Sequence, residues 1–533
     1  MGLADGMDPR GQLRPPQCVW FKRDLRVHDH APLVAAAAEG PLLAVYLVEP
    51  EVWAAADADG LHADFVQESL VGLAASLRER GVQLVVRRGE AVAVLEALRA
   101  ETGFTGLWSH EETGNAITYS RDRRVLAWAR ERGVDWREFP QAGVVRGLRD
   151  RDGWARRWNR ALHRAEAALP GEVVGVSVGG EDPGQAFRGI DLRRQAGRAP
   201  DLVGGEEEGL RVLHSFAEGR GRGYRRAMSS PVTAYEQCSR LSPYLSWGCL
   251  SLRRAVAVVE AARGTSLPKT DASSFLSRCR WHCHFMQKLE NEPALEFHCF
   301  NRACDDLRPA APDEARLAAW QEGRTGYPFV DACMRSLRAR GWINFRMRAM
   351  LVSFAAYDLW LDWRHFHPFL ARQFIDYEPG IHLSQIQMQS GVTGINTLRI
   401  YSPLKQAADH DPAGSFVRAW VPELEKLPEE RLQQPWTLTA AEARDAGFRP
   451  GVDYPRPVVD HQEAVRSARA KFAALRRSEA YWAEAARVRE QHGSRRSPED
   501  RRRPRRSRRD ASQLGLALDE GSGKEPATPK DAP

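Results

Sequence analysis

A run of hydroxyl and guanidinium side chains near the middle of the chain has the chemistry of a phosphate-binding segment. The sequence SRLSPY at 239–244 places two serine hydroxyls and one guanidinium just before a predicted helix. Free backbone N–H groups and the helix dipole favour phosphate at such a position. Serine and proline are also common at ordinary helix starts, so a capped helix with a surface arginine remains the alternative.

Three ionisable residues farther along the chain could act on a bound ligand. Arg348 and Asp376 could form a buried ion pair beside it, and His382 could donate a proton, because histidine titrates near neutrality. A single histidine is more often a structural residue, so the sequence leaves both roles of His382 open.

Cysteine and histidine are concentrated between positions 279 and 304, which raises the question of a metal or iron–sulfur site. The residues concerned are Cys279, Cys283, Cys299, Cys304, His282, His284 and His298. They contain no CxxC pair, the spacing typical of such sites. Free cysteine is common as a small buried side chain on helices. We therefore predict reduced, buried thiols and no metal.

Tryptophan is abundant, with 16 residues in the chain. Four of them lie in the region with helical periodicity, namely Trp281, Trp342, Trp360 and Trp363. Most buried tryptophans belong to the core, and stacking on nucleic-acid bases is the functional use to consider.

The first third of the chain alternates strand and helix patterns. β-rich runs at 18–21, 42–48, 83–87, 106–109 and 134–139 are separated by helical segments at 64–80, 91–100 and 120–132. This order predicts an α/β unit at 17–143 with a doubly wound parallel sheet, whose ligands lie beyond the carboxyl ends of the strands. A standard dinucleotide site is not indicated, because no GxGxxG follows the first strand.

The remaining chain changes character twice. Residues 144–208, rich in glycine, arginine and acids, are predicted to form an interdomain connection. Helical periodicity then dominates, with segments at 251–263, 272–290, 329–340 and 342–360, and predicts an all-α unit at 209–490. The end of the chain, 491–533, contains too little apolar surface to offset chain entropy and is predicted to be disordered.

The formal net charge of +7 comes from this tail, because 495–509 holds nine arginines and two acids. We predict that the tail binds nucleic acid non-specifically, whereas DNA affinity of the folded body must come from a local patch. The composition, 43% hydrophobic and 28% charged, is that of a soluble globular protein. The longest apolar runs are too short for a membrane span, and 1–16 has no apolar signal core, so we predict a cytoplasmic protein without membrane contact.

Several short motifs follow one another along the chain. The first is VWFKRDLRVHD at 19–29, and the second is SRLSPY at 239–244 followed by Trp247-Gly248. The others are GYP at 326–328, DA at 331–332, MR at 334–335, GW at 341–342 with Arg346 and Arg348, Asp358 with DWR at 362–364, RI at 399–400 with Pro403 and Gln406, DP at 411–412, FVR at 416–418, Trp420 and PEL at 422–424. In this order, the motifs resemble the photolyase/cryptochrome family over about residues 18–490.

The resemblance implies an antenna-type α/β domain, which can carry a second chromophore, and a helical domain that holds FAD. The residues that match the FAD phosphate and ribityl contacts are Tyr224, Ser239, Arg240, Leu241 and Ser242, with Cys238 where a threonine is usual. Arg348 and Asp376 match the pair beside the isoalloxazine, and Glu378 follows in the same cofactor segment. His382 stands where many relatives carry a small residue facing flavin N5, so a proton could pass from it to the reduced ring, and flavin redox state should be sensitive to pH.

The substrate side of the resemblance shows departures that point to an atypical branch. Arg226, Arg346 and Gln406 match DNA-side positions, and Trp281 matches the substrate-stacking tryptophan. Arg278 stands three residues before Trp281, where the best-known repair branch has a glutamate; an asparagine and a methionine of that branch are replaced by Phe345 and Ala349. The histidine used by the branch that repairs the other pyrimidine lesion is missing near Ile343 and Asn344.

The electron route of the family is also altered. Of the three tryptophans that commonly pass an electron to excited flavin, only the middle one matches, as Trp363. Ile386 takes the proximal position and Ala310 the distal one. Another route could use Trp360, Tyr357, Tyr377 or Tyr401.

The leading hypothesis is a blue-light-driven FAD flavoprotein, a deoxyribodipyrimidine photolyase-like lyase. It would repair a pyrimidine dimer flipped out of damaged DNA into a pocket lined by Trp281. The alternative is a cryptochrome-type photoreceptor with the same flavin and no repair activity. A DNA-binding structural protein without photochemistry is disfavoured by the clustered flavin-pocket matches.

Overall fold

Five parallel strands form a sheet near the start of the chain. The computed structural model describes residues 14–168 and 171–493. The strands are β1 Gln17–Phe21, β2 Leu42–Val48, β3 Leu84–Arg88, β4 Gly106–His110 and β5 Asp135–Phe139. Their order is β3-β2-β1-β4-β5, and every neighbouring pair is parallel. The predicted doubly wound sheet is confirmed, with strand bounds within one residue of those expected.

Helices cover both faces of this sheet. They are α1 Ala31–Glu39, α2 Pro50–Trp53, α3 Gly60–Arg78, α4 Ala91–Thr102 and α5 Ala116–Arg132. Successive strand side chains point to opposite faces. Trp20 and Val45 therefore pack in the core shared with α4 and α5, whereas Phe21 and Tyr46 pack in a core that continues into the helical unit. One apolar core thus joins the two units.

The stretch at 144–208 folds back onto the α/β unit. It contains helix α6 Trp154–Leu162 and a 3₁₀ turn at Pro183–Gln185. The Leu42 amide donates to the Val174 carbonyl at 2.7 Å, and the Glu181 amide donates to the Val86 carbonyl at 2.9 Å. These bonds tie the stretch to strands β2 and β3.

The rest of the described chain forms a helical unit, as predicted. Its α-helices are α7 Glu206–Ser215, α8 Tyr224–Ala227, α9 Pro231–Gln237, α10 Ser242–Ser246, α11 Leu252–Ala262, α12 Lys269–Asn291, α13 Glu314–Glu322, α14 Pro328–Arg340, α15 Phe345–Ser353, α16 Trp363–Gln373, α17 Pro379–Gln389, α18 Pro403–His410, α19 Ser415–Trp420, α20 Glu429–Leu432, α21 Ala440–Asp445, α22 His461–Leu475 and α23 Glu479–His492. π-helical turns lie at Phe216–Arg220 and Phe354–Asp358, and 3₁₀ turns lie at Pro293–Glu296, Arg302–Cys304, Pro422–Leu424 and Pro435–Thr437.

One helix begins later than its sequence pattern indicates. A continuous helix was expected at 342–360, but α15 starts at Phe345 and continues into a π-helical turn. Gly341 ends α14 in the left-handed region, with φ of 73°, and Asn344 is extended. The chain therefore turns between the two helices, which brings 342–344 to the wall of a cavity.

Helices α12 and α17 lie against each other and set the position of that cavity. A Cβ atom on Gly380 would lie 2.7 Å from the Met286 Cα atom, closer than real side chains approach. The absence of a side chain at Gly380 therefore allows the two backbones to approach. None of the helices in the described parts of the chain combines the length and apolar character needed to cross a membrane.

Candidate functional site

A cavity of about 320 Å³ lies in the helical unit between α12, α15 and α17. Most of the predicted site residues line it together: Tyr224, Ser239, Arg240, Ser242, Arg278, Trp281, Phe345, Arg348, Asp376, Glu378 and His382. Leu241 instead packs in the apolar core with 1% of its surface exposed. Its predicted contact with a ligand is therefore limited to its backbone.

One end of the cavity is formed by the segment before α10. Arg240 has a φ of 52°, a left-handed conformation that is uncommon for a residue with a side chain and is often found at ligand sites. Arg220 holds the segment by donating to the Ser239 carbonyl at 3.0 Å. The Ser242 hydroxyl accepts from the Trp342 ring nitrogen at 3.3 Å. The segment is thus fixed with a guanidinium and two hydroxyls at the cavity.

Arg348 and Asp376 form the predicted ion pair on the cavity wall. Two parallel hydrogen bonds of 2.9 and 2.8 Å join the guanidinium to the carboxylate. The Asp376 side chain is only 3% exposed, and the Arg348 guanidinium lies 4.2 Å over the Phe374 ring. This bidentate geometry fixes both groups where a planar ligand could contact them.

Glu378 links the cavity to the α/β unit. Arg23, which follows β1, donates to the Glu378 carboxylate at 3.4 Å and to the Tyr377 carbonyl at 3.0 Å. Burial raises the pKa of Glu378 to about 7 despite this arginine. Glu378 can therefore be protonated near neutrality and can donate a hydrogen bond into the cavity.

His382 lines the cavity, and the proton transfer expected of it stays a prediction. Its Nε2–H donates to the His367 carbonyl at 3.0 Å, and burial lowers the pKa of His382 to about 4. The ring is therefore neutral near pH 7. In this tautomer, the remaining ring nitrogen, Nδ1, accepts a hydrogen bond.

The part of the cavity lined by α12 is aromatic and cationic. The Trp281 ring stacks on Phe285 with 5.7 Å between centroids and 28° between planes. The Arg278 guanidinium lies 4.2 Å over the Phe345 ring and donates to the Met228 sulfur at 3.6 Å. Within the described residues, no acid forms an ion pair with Arg278. This part thus presents a flat apolar surface beside an uncompensated positive charge.

The other predicted DNA-side residues lie outside the cavity lining. Arg226 is exposed on α8. The Arg346 guanidinium lies 5.5 Å from the centre of the Phe345 ring. Gln406 is buried on α18, and its Oε1 atom has no partner. Of these three, only Arg346 adjoins the aromatic part.

The aromatic residues considered for electron transfer divide into two groups. Tyr377 and Tyr401 line the cavity, as does Ile386. Tyr357 and Trp360 are outside its lining and pack on Phe472 at 5.9 and 6.0 Å.

Trp363 is fully buried and reaches the cavity only through a neighbour. Its ring lies 5.3 Å from His367, which lies 5.9 Å from His382. The Trp363 ring nitrogen donates to the Cys299 sulfur at 3.3 Å.

Several cavity residues carry no motif that the sequence analysis used for the site. They are Phe285, Gln385 and Gln389, together with His282, which was considered only as a metal ligand. A signal was present in the helical spacing, because 278, 281, 282 and 285 share one face of α12, and 378, 382, 385 and 389 share one side of α17. Four polar atoms of cavity residues are buried without a partner: Arg240 Nε, His282 Nδ1, Asn344 Oδ1 and Gln389 Oε1. A polar ligand would satisfy them.

A second, smaller cavity of about 80 Å³ lies at the carboxyl ends of the strands. Trp20, Tyr46 and Glu49 line it, and Arg121 donates to Glu49 at 2.7 Å. Burial raises the pKa of Glu49 to about 7, and its Oε2 atom has no partner. This is the position predicted for a ligand of the doubly wound sheet.

The cysteines between 279 and 304 are free and buried. Within the described ranges, three metal-type ligand atoms converge only at Asp24, His30 and His110. The Asp24 carboxylate accepts from His30 at 2.9 Å and from His110 at 2.7 Å. Because the Leu33 amide donates to Nδ1 of His30, the proton of that neutral ring is on Nε2. The hydrogen bonds to Asp24 therefore account for the close approach of the three side chains.

Two segments of the chain match described protein families. Residues 17–147 match DNA photolyase, and residues 275–474 match the FAD binding domain of DNA photolyase. The second segment contains Arg278, Arg348, Asp376 and His382. The basic tail lies outside the described residues.

Curated relatives of two kinds cover most of the chain. A deoxyribodipyrimidine photo-lyase of Agrobacterium fabrum is 30% identical over 487 residues, 87% of this chain and 98% of that protein. A cryptochrome DASH of Gloeobacter violaceus is 28% identical over 466 residues, 83% of this chain and 92% of that protein.

Solved structures show the same fold. A bacterial class III photolyase from Agrobacterium tumefaciens superposes with a TM-score of 0.76 at 27% identity, over 88% of this chain and 99% of that one. An archaeal photolyase from Sulfolobus tokodaii, solved with two FAD molecules, gives a TM-score of 0.73 at 24% identity, over 86% of this chain and all of that one.

The residues of the large cavity fit FAD. The Arg240 end offers a guanidinium and hydroxyls to phosphates, the Arg348–Asp376 pair and Phe374 offer a polar edge and a ring to a flavin, and the unpaired polar atoms offer further hydrogen bonds. Together with the matched segments and the 30% identical relative, this cavity identifies the chain as a member of the photolyase/cryptochrome family with an FAD-binding helical domain.

Proposed function

We propose that the protein is a light-driven DNA-repair lyase that acts on pyrimidine dimers. The observation that supports this most directly is the aromatic and cationic part of the large cavity. Trp281 and Phe285 form a stacked pair there, and Arg278 stands beside them without an acidic partner in the described chain. Because the same cavity contains the Arg348–Asp376 pair, a flipped-out base would lie in one enclosure with the cofactor.

FAD supplies light absorption and one-electron transfer when it is bound in such a cavity. Ser239, Arg240 and Ser242 bind its phosphate end by charge and hydrogen bonds. Arg348 and Asp376 orient the flavin end, since each restrains the other through two hydrogen bonds. The apolar walls, which include Val352 and Ile386, limit water at this end.

Damaged DNA is the substrate that the aromatic and cationic part of the cavity fits. Aromatic side chains stack on bases at about 1 to 3 kcal/mol per base, independent of base identity. Arg278 and Arg346 add attraction for the phosphate backbone. We also propose that the cavity at Glu49 is the site of a second chromophore in the α/β unit, because Trp20 and Tyr46 provide aromatic walls and Glu49 Oε2 lacks a partner.

A photoreceptor without repair activity is the second candidate. It is favoured by Arg278, which offers a positive charge where repair enzymes of the best-known branch offer a carboxylate hydrogen-bond acceptor. The same cavity would then hold FAD without admitting a dimer.

The deciding experiment is repair of a dimer-containing oligonucleotide under blue light by protein whose flavin has first been chemically reduced. We expect restored pyrimidines from the wild type. Trp281→Ala should weaken binding of dimer-containing DNA by about 1 to 3 kcal/mol and undamaged DNA less, whereas Arg278→Ala should weaken both alike.

Trp482→Ala is the matched control, because Trp482 is 54% exposed on α23, away from the cavity. If the wild type restores no pyrimidines and shows no preference for the lesion, the repair function is wrong and the photoreceptor replaces it.

A further inference from the structure

Tyr377 belongs to both cavities at once. It is part of the lining of the large cavity and of the cavity at the strand ends. Its ring meets the His382 ring edge-on, with 5.2 Å between centroids. Its hydroxyl donates to the Asp57 carboxylate at 2.6 Å, on the side of the α/β unit. One side chain thus joins the flavin cavity to an acid 320 residues away in the chain.

Asp57, which accepts this hydrogen bond, is held in place and borders the smaller cavity. The Asn115 side chain donates to the same Asp57 oxygen at 3.0 Å. Asp57 and Asn115 are half-buried, and both line the smaller cavity. A proton taken up by Asp57 therefore has a path to solvent that avoids the large cavity.

The phenol of Tyr377 is kept neutral in its resting form. Burial and the neighbouring Asp57 carboxylate both raise its pKa well above the usual value for tyrosine. A phenol that loses an electron becomes a far stronger acid, so a carboxylate within hydrogen-bond distance accepts its proton at once. Tyr377 has the two parts that oxidation requires, an aromatic ring at the flavin cavity and a base at its hydroxyl.

We propose that Tyr377 is the electron donor that reduces the photoexcited flavin, with Asp57 as its proton acceptor. This inference depends on FAD binding in the large cavity, as proposed above. One electron passes from Tyr377 to the flavin, and the O–H bond breaks as its proton forms a new O–H bond on Asp57. Tyr377 is left as a neutral radical. An external thiolate then gives one electron to the tyrosyl radical and becomes a thiyl radical, and the proton returns from Asp57 to the Tyr377 oxygen.

The other aromatic side chains lack one of these two parts. Trp363 is separated from His382 by His367. Tyr401 lines the cavity, but no carboxylate accepts from its hydroxyl within the described residues. Tyr357 and Trp360 lie outside the cavity lining.

Trp247 is the strongest rival, because it follows Tyr377 through His62, with centroid distances of 5.9 and 5.8 Å. The Arg23 guanidinium, however, lies 4.2 Å over the Trp247 ring. A fixed positive charge at this distance opposes the positive charge of an oxidised indole. The neutral tyrosyl radical carries no such penalty, so the oxidation stops at Tyr377.

The test measures reduction of bound flavin by its absorbance during blue illumination with a thiol and without DNA. Tyr377→Phe, which keeps the ring and removes the hydroxyl, should slow this reduction by about tenfold or more, equivalent to about 1.4 kcal/mol of barrier. Asp57→Asn should slow it as well and should abolish the solvent deuterium isotope effect of the wild type.

Tyr357→Phe is the matched control, since it removes a buried hydroxyl that has no partner. Flavin bound to this variant should be photoreduced at the wild-type rate. An unchanged rate in Tyr377→Phe with full flavin content would overturn the proposal.

A second measurement does not depend on any variant. Wild-type protein illuminated in the frozen state should give an electron paramagnetic resonance signal that narrows when tyrosine is ring-deuterated. A signal that narrows only with deuterated tryptophan would also overturn the proposal.

Failure of this route and failure of repair give different results. If Tyr377→Phe repairs dimers normally once its flavin is chemically reduced, its defect lies in photoreduction alone, as the proposal requires. If the wild type photoreduces its flavin through Tyr377 but repairs no dimers, this inference holds and the proposed repair function is wrong.

Discussion

The large cavity between α12 and α17 and the small cavity at the strand ends both contain arginine, but their arginines differ in pairing. In the small cavity, Arg121 contacts Glu49 at 2.7 Å, Glu112 at 2.5 Å and Asp122 at 2.9 Å. In the large cavity, Arg348 has one carboxylate, and Arg278 has no acidic partner in the described chain. The small cavity is thus largely balanced in charge without a ligand, whereas the large cavity has positive charge left for an anionic one.

Breaking the ion pair of the large cavity should have the largest effect. Asp376→Ala leaves the Arg348 guanidinium beside the flavin without its carboxylate, which costs on the order of 3 to 5 kcal/mol for a buried pair. We expect loss of most bound FAD, measured by flavin absorbance per protein. Asp453→Ala, which breaks an exposed pair with Arg449, is the control and should retain its flavin. Full occupancy in Asp376→Ala would contradict the placement of the cofactor.

A change in the small cavity should alter the pH dependence of stability rather than flavin content. Burial raises the pKa of native Glu49 from 4.5 to about 7. Arg121 opposes this shift only in part, because it is shared among three carboxylates. The native state therefore holds this proton more tightly than the unfolded state. Its contribution to the free energy of unfolding is complete below pH 4.5 and is lost as pH rises through 7.

Glu49→Gln removes this titration. Between pH 5 and pH 8, the wild type should lose up to about 3 kcal/mol more unfolding free energy than the variant. Urea unfolding at both pH values checks this. Equal losses in the two proteins would show that folding does not raise the pKa of Glu49.

The smallest expected effect concerns the helix contact that shapes the large cavity. Gly380→Ala places a Cβ atom 2.7 Å from the Met286 backbone and should force α12 and α17 apart, at about 1 to 3 kcal/mol. The temperature of thermal unfolding and the amount of bound flavin per protein should both fall. Gly72→Ala in α3 is the control, because its Cβ atom meets nothing closer than 4.0 Å and should stabilise the helix slightly. Similar results for both glycines would remove the role assigned to Gly380.

Local pattern was sufficient to predict the five strands, several of the longer helices and much of the large cavity. Apolar runs gave the five strands, and the segment at 239–244 and the Arg348–Asp376 pair were identified from residue type and resemblance. The direction of the His382 hydrogen bond was not predictable, because it depends on the His367 carbonyl. The start of α15 was placed three residues too early, since Asn344 is extended and 342–344 lie outside the helix.

Long-range contacts explain the remaining gaps. Tyr377 was one of four aromatic candidates in the sequence, and only its contact with Asp57, far away in the chain, distinguishes it. The Arg278 side chain was expected at the cavity, but its position over Phe345 depends on a contact between α12 and the start of α15. Local sequence patterns do not predict such contacts between distant parts of the chain.

The apolar core that runs from the sheet into α11 and α12 also limits how such a protein can be rearranged. Phe21 and Tyr46 of the sheet share this core with Val256 and Phe275 of the helical unit. Separating the two units would expose apolar surface on both, at about 25 cal/mol for each Å². The α/β unit is therefore not a replaceable module, and an exchange of this unit between relatives must preserve the residues on both sides of the junction.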